Sequence, residues 1–331
     1  MKITKEQFGT YQNGPVYLYK IENKHKTQLN VLSYAATWQD FKVVENGITH
    51  SLISHFDNLD DYIKTPYQVG KTVGRVAGRI GHASFKLDDK NYHLPANDGS
   101  NLIHGGDNGF QSVNFSGSVI KDEVILSHKF LSADDNFPGD LELKITYSLS
   151  EENEVKISYT ATSTAKTLFN PTCHVYFNVT DNEDVFGQDV KINSNSILEV
   201  DSNKVPTGKI LPVTKGYEFK EFKTIAKALD DLKSDNGKLE FDDTFVTDGN
   251  SVATIKSNKR AVDFSSDRNG LVIFTANPND PKKADKREYN SLAMEMQTLP
   301  DAINHVGFGN IVLPANESVT YTNSYKYRQI N

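Results

Sequence analysis

Short blocks in which apolar and polar residues alternate recur along almost the whole chain. In 141–147 and in 154–159 every second residue is apolar, which is the period of a β-strand that buries one face. Turn-forming pairs such as Asn236-Gly237 and Asn269-Gly270 bound many of these blocks. Short strands joined by frequent turns are typical of sandwiches and barrels. The pattern therefore predicts an all-β fold and leaves the choice between a sandwich and a barrel open.

Helical periodicity is sparse and is strongest in 224–232. Four apolar residues of this segment fall on one helical face, namely Ile225, Ala228, Leu229 and Leu232. The hydroxyl of Thr224 is suited to cap the start of such a helix. We expect one short helix here, and one or two in the fold as a whole.

Composition and charge exclude several classes of protein. The 331 residues are 37% hydrophobic and 24% charged, a globular mixture that excludes wholesale disorder. The net charge is -7 and no basic stripe is visible, so we expect no nucleic-acid partner. No apolar run approaches the ~18 residues that a membrane span needs, so we expect no membrane association.

The chain shows no sign of export or of division into parts. Cys173 is the single cysteine and has no partner for an internal disulfide, and the polar N-terminus lacks the hydrophobic block of a signal peptide. We therefore expect a cytoplasmic protein. No linker rich in Pro, Gly or Ser appears at a central point, so we expect residues 1–331 to form one domain. The polar stretch 277–290 is interpreted as a loop within it.

Two glycine-rich segments contain basic side chains. Segment 74–81, Gly-Arg-Val-Ala-Gly-Arg-Ile-Gly, lacks the Gly-Lys-Ser/Thr ending of a phosphate loop. It is either a tight turn with solvated arginines or a loop that brings Arg75 or Arg79 close to an oxygen-rich ligand. In segment 101–106, His104 lies in a turn beside two glycines. It is either a structural residue or part of a polar cleft.

Segment 170–179 is predicted to be a strand with two different faces. One face carries apolar side chains that point towards a core, namely Cys173, Val175, Phe177 and Val179. The other face carries Thr172, His174, Tyr176 and Asn178, a polar strip suited to a wet pocket. A structural, hydrogen-bonded His174 is the alternative. Neighbouring residues of a strand face opposite sides, so Cys173 and His174 do not form a nucleophile–base pair.

Two acidic positions stand out beside aromatic and apolar strands. Glu295 lies within the apolar segment 291–297, where an acid is unfavourable to bury unless it is paired or functional. A surface position on an edge strand is the alternative. Asp242 and Asp243 precede an aromatic strand without the spaced ligand series of a calcium loop. They are either a solvated turn or acceptors for sugar hydroxyls.

The chemistry-bearing residues are thus arginine, histidine, aspartate and glutamate on β-rich sequence. They lack a thiolate nucleophile, a metal-ligand spacing such as His-Glu-x-x-His, and a phosphate loop. One histidine and one glutamate with neutral hydrogen-bonding companions suit proton transfer to and from a polyhydroxyl ligand.

Five of these segments, in this order, resemble the aldose 1-epimerase (galactose mutarotase) family. The resemblance spans roughly residues 25–328, nearly the whole chain. The matching pieces are Gly-Arg-Val-Ala-Gly-Arg-Ile at 74–80, the Leu-Pro, Asn-Asp-Gly and Asn-Leu-Ile-His-Gly-Gly elements of 94–106, and the segments 170–178, 241–246 and 294–304.

The resemblance implies a large antiparallel β-sandwich, the galactose mutarotase-like supersandwich, with a sugar cleft on one face. In this family a glutamate takes the proton of the anomeric hydroxyl and a histidine protonates the ring oxygen, so the ring opens and recloses as the other anomer. Carried onto this sequence, the resemblance implies Glu295 as base and His174 as acid, with Arg79, His104 and Asp242 binding the sugar. It implies no metal, nucleotide or flavin.

Two positions depart from the family pattern. Gly78 stands where many relatives have Asn, and Val272 stands where many have Gln, so two sugar contacts are expected to be missing. The sugar therefore stays open among galactose, glucose and a disaccharide with a free reducing end.

Two other functions and two assembly states also stay open. The same departures favour a sugar-binding sandwich without turnover. The cations Lys71, Arg75 and Arg79 favour an epimerase of a phosphorylated sugar. The sequence does not decide between a monomer and a homodimer.

Overall fold

The computed structural model describes residues 1–248 and 250–330; Gly249 and Asn331, which belong to the predicted single domain, lie outside this part. Short strands dominate it. In chain order they are β1 (Lys2–Tyr11), β2 (Gly14–Glu22), β3 (Gln28–Leu32), β4 (Thr37–Glu45), β5 (Ile48–Ser51), β6 (Thr72–Val73), β7 (Arg79–Ile80), β8 (Ser84–Leu87), β9 (Lys90–His93), β10 (Leu102–Ile103), β11 (Ser116–Ile120), β12 (Glu123–Phe130), β13 (Leu141–Leu149), β14 (Glu154–Ser163), β15 (Thr167–Leu168), β16 (Thr172–Cys173), β17 (Tyr176–Phe177), β18 (Asp189–Ile192), β19 (Ser196–Val200), β20 (Pro206–Pro212), β21 (Lys223–Thr224), β22 (Asp242–Val246), β23 (Ser251–Lys256), β24 (Arg260–Ser266), β25 (Gly270–Ala276), β26 (Ser291–Gln297), β27 (Val312–Leu313) and β28 (Ser318–Gln329). The α-helices are α1 (Leu59–Lys64), α2 (Ser132–Asp135), α3 (Ile225–Asn236) and α4 (Pro281–Ala284).

Three large sheets organise these strands. One is a five-stranded meander of β1 to β5, and a second has nine strands in the order β11-β12-β13-β14-β28-β24-β23-β18-β21. The third has six strands in the order β17-β26-β25-β22-β19-β20. Neighbouring strands within the large sheets run antiparallel, as hairpin-rich sequence favours.

The nine-stranded and six-stranded sheets share one hydrophobic core, which makes the fold a β-sandwich. Ile145 and Tyr147 of β13 enter this core, and Met294 and Met296 of β26 enter it from the other sheet. The alternating pattern along 141–147 thus corresponds to one buried and one more exposed strand face. The predicted all-β fold is confirmed, as a large antiparallel sandwich.

The predicted helix at 224–232 is confirmed as α3 and extends to Asn236. The Thr224 hydroxyl accepts a hydrogen bond from the Lys227 amide at its start, and Gly237 ends it in a left-handed conformation. The described residues contain four helices where one or two were expected, and two of the four have only four residues. The segment 277–290 connects β25 to β26 and contains the short α4. None of the described helices is long and apolar enough to cross a bilayer.

The six-stranded sheet presents a second face that carries polar side chains. Register places Glu295 of β26 opposite Val272 of β25, and Val272 opposite Thr244 of β22. Asp242 pairs with Phe274 two residues further along the same strands. Because paired residues and residues two apart share a face, this face is opposite to that of Met294 and Met296.

The prediction of one continuous strand over 170–179 is wrong. Thr172 and Cys173 pair with β6, whereas Tyr176 and Phe177 pair with β26, and His174 and Val175 lie between the two pairings. The chain passes from one partner strand to another at this point, which a sequence period does not encode. The apolar side of the segment is buried as expected, and burial raises the pKa of the Cys173 thiol.

Candidate active site

All five side chains that the sequence singled out line one cavity on the polar face of the six-stranded sheet. This inner pocket has a volume of about 160 Å³ and is lined by Arg79, His104, His174, Asp242 and Glu295, among others. The five come from five separate segments of the chain, spread between residues 79 and 295. The fold therefore brings the predicted candidates together.

Glu295 and His174 form the centre of the pocket. The Oε1 atom of Glu295 lies 3.3 Å from the Nε2 atom of His174, and both residues are buried, at 3% and 6% exposure. Glu295 belongs to an inner strand of its sheet, so the edge-strand alternative for this residue is wrong. The second oxygen of Glu295 and the Nδ1 atom of His174 have no hydrogen-bond partner among the described residues. Buried polar atoms of this kind are rare unless a ligand or water satisfies them.

Burial shifts both groups towards their neutral forms. It raises the pKa of Glu295 to about 8, with a further contribution from the Asp242 charge, while Arg79 opposes the shift. It lowers the pKa of His174 to about 4, helped by the positive charge of Lys71 and opposed by Asp242. Two groups 3.3 Å apart titrate as a pair. Between about pH 4 and about pH 8 the pair therefore holds one titratable proton, and so offers one proton donor and one proton acceptor.

His104 is oriented by the backbone of the segment that carries Arg79. Its Nδ1 accepts a hydrogen bond from the Gly78 amide at 3.3 Å, so the neutral ring carries its proton on Nε2. His104 and Gly105 both have positive φ, and a Cβ on Gly105 would lie 1.9 Å from the Gly74 oxygen. Only glycine allows this approach. Burial and the neighbouring charges of His174 and Arg79 hold the pKa of His104 well below its usual value, so it stays neutral.

The two arginines of segment 74–81 have different environments. The Nε of Arg79 donates to Asp98 at 2.6 Å, and its terminal nitrogens make no hydrogen bond to the described residues. These nitrogens are available to a ligand in the inner pocket. Arg75 is instead buried in a bidentate pair with Asp135. Of the two candidates, Arg79 is the one at the site.

The neighbouring acids of segment 241–246 also separate. Asp242 lines the inner pocket and forms an ion pair with Lys204. Asp243 is buried and is bound by Lys238 at 2.7 Å and by the Tyr217 hydroxyl at 3.0 Å. The solvated-turn alternative is therefore wrong for both residues, and Asp242 alone of the two faces the inner pocket.

Gln297 and Lys204 are among the residues of the site that were not singled out as candidates. Gln297 is fully buried in the lining of the inner pocket, and neither its amide nitrogen nor its amide oxygen has a partner among the described residues. Its position two residues from Glu295 on the same strand face was the available signal. Lys204 comes from a loop and also lines the pocket, and no sequence pattern marks it.

The expected polar strip of segment 170–179 contributes only His174 to the pocket. The Thr172 hydroxyl donates to the Met296 carbonyl at 2.9 Å, and the Tyr176 hydroxyl donates to the Tyr67 carbonyl at 2.7 Å. The amide of Asn178 donates to the Asn290 carbonyl at 2.9 Å. These three side chains hold the backbone in place around His174.

His104, His174 and Glu295 also offer three possible metal-ligand atoms within 4.8 Å of one another. The hydrogen bond at His104 works against this use. Its Nδ1 is occupied by the Gly78 amide, and binding a metal at Nε2 would move the ring proton to Nδ1, opposite that amide. The arrangement thus suits a histidine that donates a hydrogen bond better than one that binds a metal.

The two departures from the family pattern both lie in the pocket lining. Gly78 has a φ of 71°, and a Cβ at this position would lie 2.8 Å from Cβ of Pro300. Val272 lies between Glu295 and Thr244 and adds an apolar side chain to the pocket lining.

Comparisons with known proteins agree with this geometry. The family model described as aldose 1-epimerase matches residues 17–326. The chain belongs to the aldose 1-epimerase family. It is 46% identical to a maltose epimerase of Levilactobacillus brevis and 36% identical to an aldose 1-epimerase of Streptococcus thermophilus, each over 99% of both chains. The galactose 1-epimerase structure from Lactobacillus acidophilus NCFM matches with a TM-score of 0.86 and 27% identity, over 100% of this chain and 99% of that one.

Membership of this family confirms the resemblance, the fold class and the isomerase type of activity expected from the sequence. The aldose 1-epimerase reaction at a sugar is therefore the reaction that the site has to support.

Proposed function

We propose that the inner pocket interconverts the α and β anomers of a neutral aldohexose, with Glu295 and His174 as its acid–base pair. The observation that carries this proposal is the buried carboxyl–imidazole contact of 3.3 Å, with an unpartnered polar atom on each residue. Such a pair, holding one proton, matches a reaction that removes a proton from one oxygen and delivers a proton to another.

The reaction conserves protons at every stage. Glu295 as carboxylate removes the proton of the anomeric hydroxyl, the C1–O1 bond becomes a carbonyl, and the C1–O5 bond breaks. His174 as imidazolium gives its proton to O5, so the pair again holds one proton. Rotation about C1–C2 presents the other carbonyl face, and the reverse transfers close the ring. The state with charged Glu295 and His174 has the same number of protons as the neutral pair, and a proton shift over 3.3 Å links the two.

The remaining residues bind and orient the sugar. The protonated Nε2 of His104 and the terminal nitrogens of Arg79 donate to sugar oxygens and stabilise the charge that develops near O5. The carboxylate of Asp242 accepts from hydroxyls at the far side of the pocket. These roles follow from which atoms the protein leaves free.

Of the three cations that favoured a phosphorylated sugar, Arg79 alone lines the inner pocket, and it is paired with Asp98, so their positions give such a substrate little support. Arg75 is committed to Asp135, and Lys71 is buried outside the pocket lining. A relative 46% identical is named maltose epimerase, which makes the reducing end of a disaccharide a second candidate substrate beside free hexoses.

We also propose that residues 1–331 form one cytoplasmic domain. The convergence of the five site residues on one cavity supports the single domain, and the buried free thiol of Cys173 is consistent with a reducing compartment.

Polarimetry on freshly dissolved α-D-glucose, α-D-galactose and maltose tests this proposal. Glu295→Gln and His174→Asn should each lower kcat by about 10²- to 10⁴-fold, because each removes one of the two proton carriers. The exposed residue Glu123 gives a matched control, and Glu123→Gln should leave kcat unchanged. Wild-type rates no faster than those of Glu295→Gln would contradict catalysis. If sugar still raised the melting temperature of such a protein, it would be a binding module.

A further inference from the structure

A second and larger cavity adjoins the inner pocket. We call it the outer cleft; it has a volume of about 1000 Å³ and lies between residues 197–204, 211–217, 235–243 and 284–289, with Tyr67 and Phe274 at one side. Four residues line both cavities, namely Val200, Lys204, Asp242 and Phe274. The two spaces therefore meet along the Lys204–Asp242 ion pair.

The strand register sets the direction from the catalytic pair to this junction. Glu295 and Asp242 are separated by two strand spacings and by two residues along the strands, so their Cα atoms are about 12 Å apart. A pyranose placed between them with C1 at Glu295 has C4 at its opposite end. That end is directed towards Asp242 and the mouth of the outer cleft.

The charges around the outer cleft select against anionic ligands. Seven carboxylates line it, namely Glu199, Asp201, Asp235, Glu240, Asp242, Asp243 and Asp285. Three cations oppose them, namely Lys204, Lys238 and Arg287, and two of these are already paired with Asp242 and Asp243. A surplus of carboxylates suits hydroxyl donors and repels phosphate.

Aromatic rings supply the apolar part of the same surface. The rings of Tyr67 and Phe274 are nearly parallel, with centroids 6.3 Å apart and an angle of 18° between their planes. Both line the outer cleft, and Phe274 continues into the inner pocket. Aromatic faces beside a few polar groups are the usual composition of a small-molecule site. They suit the C–H face of a sugar ring.

We propose that the outer cleft binds the second unit of a neutral reducing disaccharide, joined through O4 of the hexose that reacts in the inner pocket. This inference rests on the proposed function and adds the position of the second sugar. In it, Lys204 is a specificity-determining residue because its ammonium lies at the junction and reaches both units. The aromatic pair of Tyr67 and Phe274 supports the second ring.

Filling the outer cleft tests this position. Thr214 is exposed at its wall and its side chain makes no capping hydrogen bond, so Thr214→Trp is expected to fold. It should lower kcat/KM for maltose at least ~10-fold while glucose changes less than about twofold. Ser127→Trp, at an exposed position in a cavity that shares no lining residue with the outer cleft or the inner pocket, is the matched control and should leave the maltose-to-glucose ratio unchanged. Tyr67→Ala should raise KM for maltose alone.

Equal losses on both sugars, or no loss on maltose, would overturn the assignment, as would a selective loss in Ser127→Trp. Saturation-transfer NMR with maltose gives a readout that is independent of turnover. The non-reducing ring should receive saturation from the wild type and lose it in Thr214→Trp. A wild type that binds both rings without anomerising them contradicts the proposed function only. A wild type whose contacts are confined to the reducing ring contradicts the outer-cleft assignment only.

Discussion

Two buried acid–base pairs, Arg75 with Asp135 and His174 with Glu295, differ in how completely their hydrogen-bonding atoms are satisfied. Arg75 and Asp135 form two hydrogen bonds of 2.6 and 3.0 Å, and Arg75 also donates to the Pro138 carbonyl and the Thr167 hydroxyl. Asp135 accepts in addition from the Phe137 amide. Neither residue of this pair has an unpartnered side-chain atom among the described residues.

Glu295 and His174 are equally buried but much less satisfied. They meet in one contact of 3.3 Å, and each keeps one polar atom without a partner. A buried group that lacks a partner is unfavourable for folding, whereas a saturated pair fixes the chain around it. The comparison indicates that the first pair holds segment 74–81 in place, and that the second keeps its hydrogen-bonding capacity for a ligand.

Removing one partner of the saturated pair should produce the largest loss of stability. Asp135→Ala leaves the Arg75 guanidinium buried without its counter-charge, so the free energy of unfolding should fall by about 3–5 kcal/mol. Urea denaturation followed by fluorescence measures this change. The exposed neighbour Asp134 provides the control, and Asp134→Ala should alter stability by less than about 0.5 kcal/mol.

The catalytic pair should respond in the opposite direction. The pKa of Glu295 is raised to about 8, so its contribution to stability is present at low pH and is lost as the pH rises through 8. Glu295→Gln carries no charge to bury and should therefore unfold no more easily than the wild type at pH 7, and less easily at pH 9. A loss of stability as large as that of Asp135→Ala would show that both pairs serve the fold.

The pH dependence of catalysis tests whether Glu295 and His174 share one proton. Below about pH 4 both groups are protonated and no base is left; above about pH 8 both are deprotonated and no acid is left. The kcat/KM for glucose should be highest between these limits and fall roughly tenfold per pH unit outside them. Arg79, Asp242 and Lys71 are the other charged groups that act on the pair. Rates unchanged up to pH 10, after subtraction of spontaneous anomerisation, would contradict the assignment.

Residue patterns predicted the local structure well where an element keeps the same partners along its whole length. The alternation in 141–147 became β13, and the apolar stripe of 225–232 became α3, because period and capping are local properties. The single strand expected over 170–179 failed because this segment changes pairing partner at His174. Such an exchange depends on β6 and β26, which lie far away in the sequence.

The meeting of Glu295 with His174 was accessible through the family resemblance, since no spacing links two residues so far apart. Burial of Glu295 was foreseeable as one of two alternatives, whereas its inner strand position required the sheet order. Lys204 was not foreseeable, because a single lysine in a polar loop has no distinguishing pattern. Its importance comes from the ion pair with Asp242 at the junction of two cavities.

Gln297 offers the finest test of the contrast between saturated and unsatisfied polar groups. Its amide is fully buried with both polar atoms unpartnered, so Gln297→Leu removes two unsatisfied atoms at nearly constant volume. If the amide serves the sugar, KM for glucose should rise about 5- to 10-fold, kcat should change less, and the melting temperature should stay the same or increase. Initial rates over a range of glucose concentrations and a thermal melt without sugar give these values. A lower melting temperature with unchanged KM would instead place Gln297 with Arg75 and Asp135, among the groups that hold the fold.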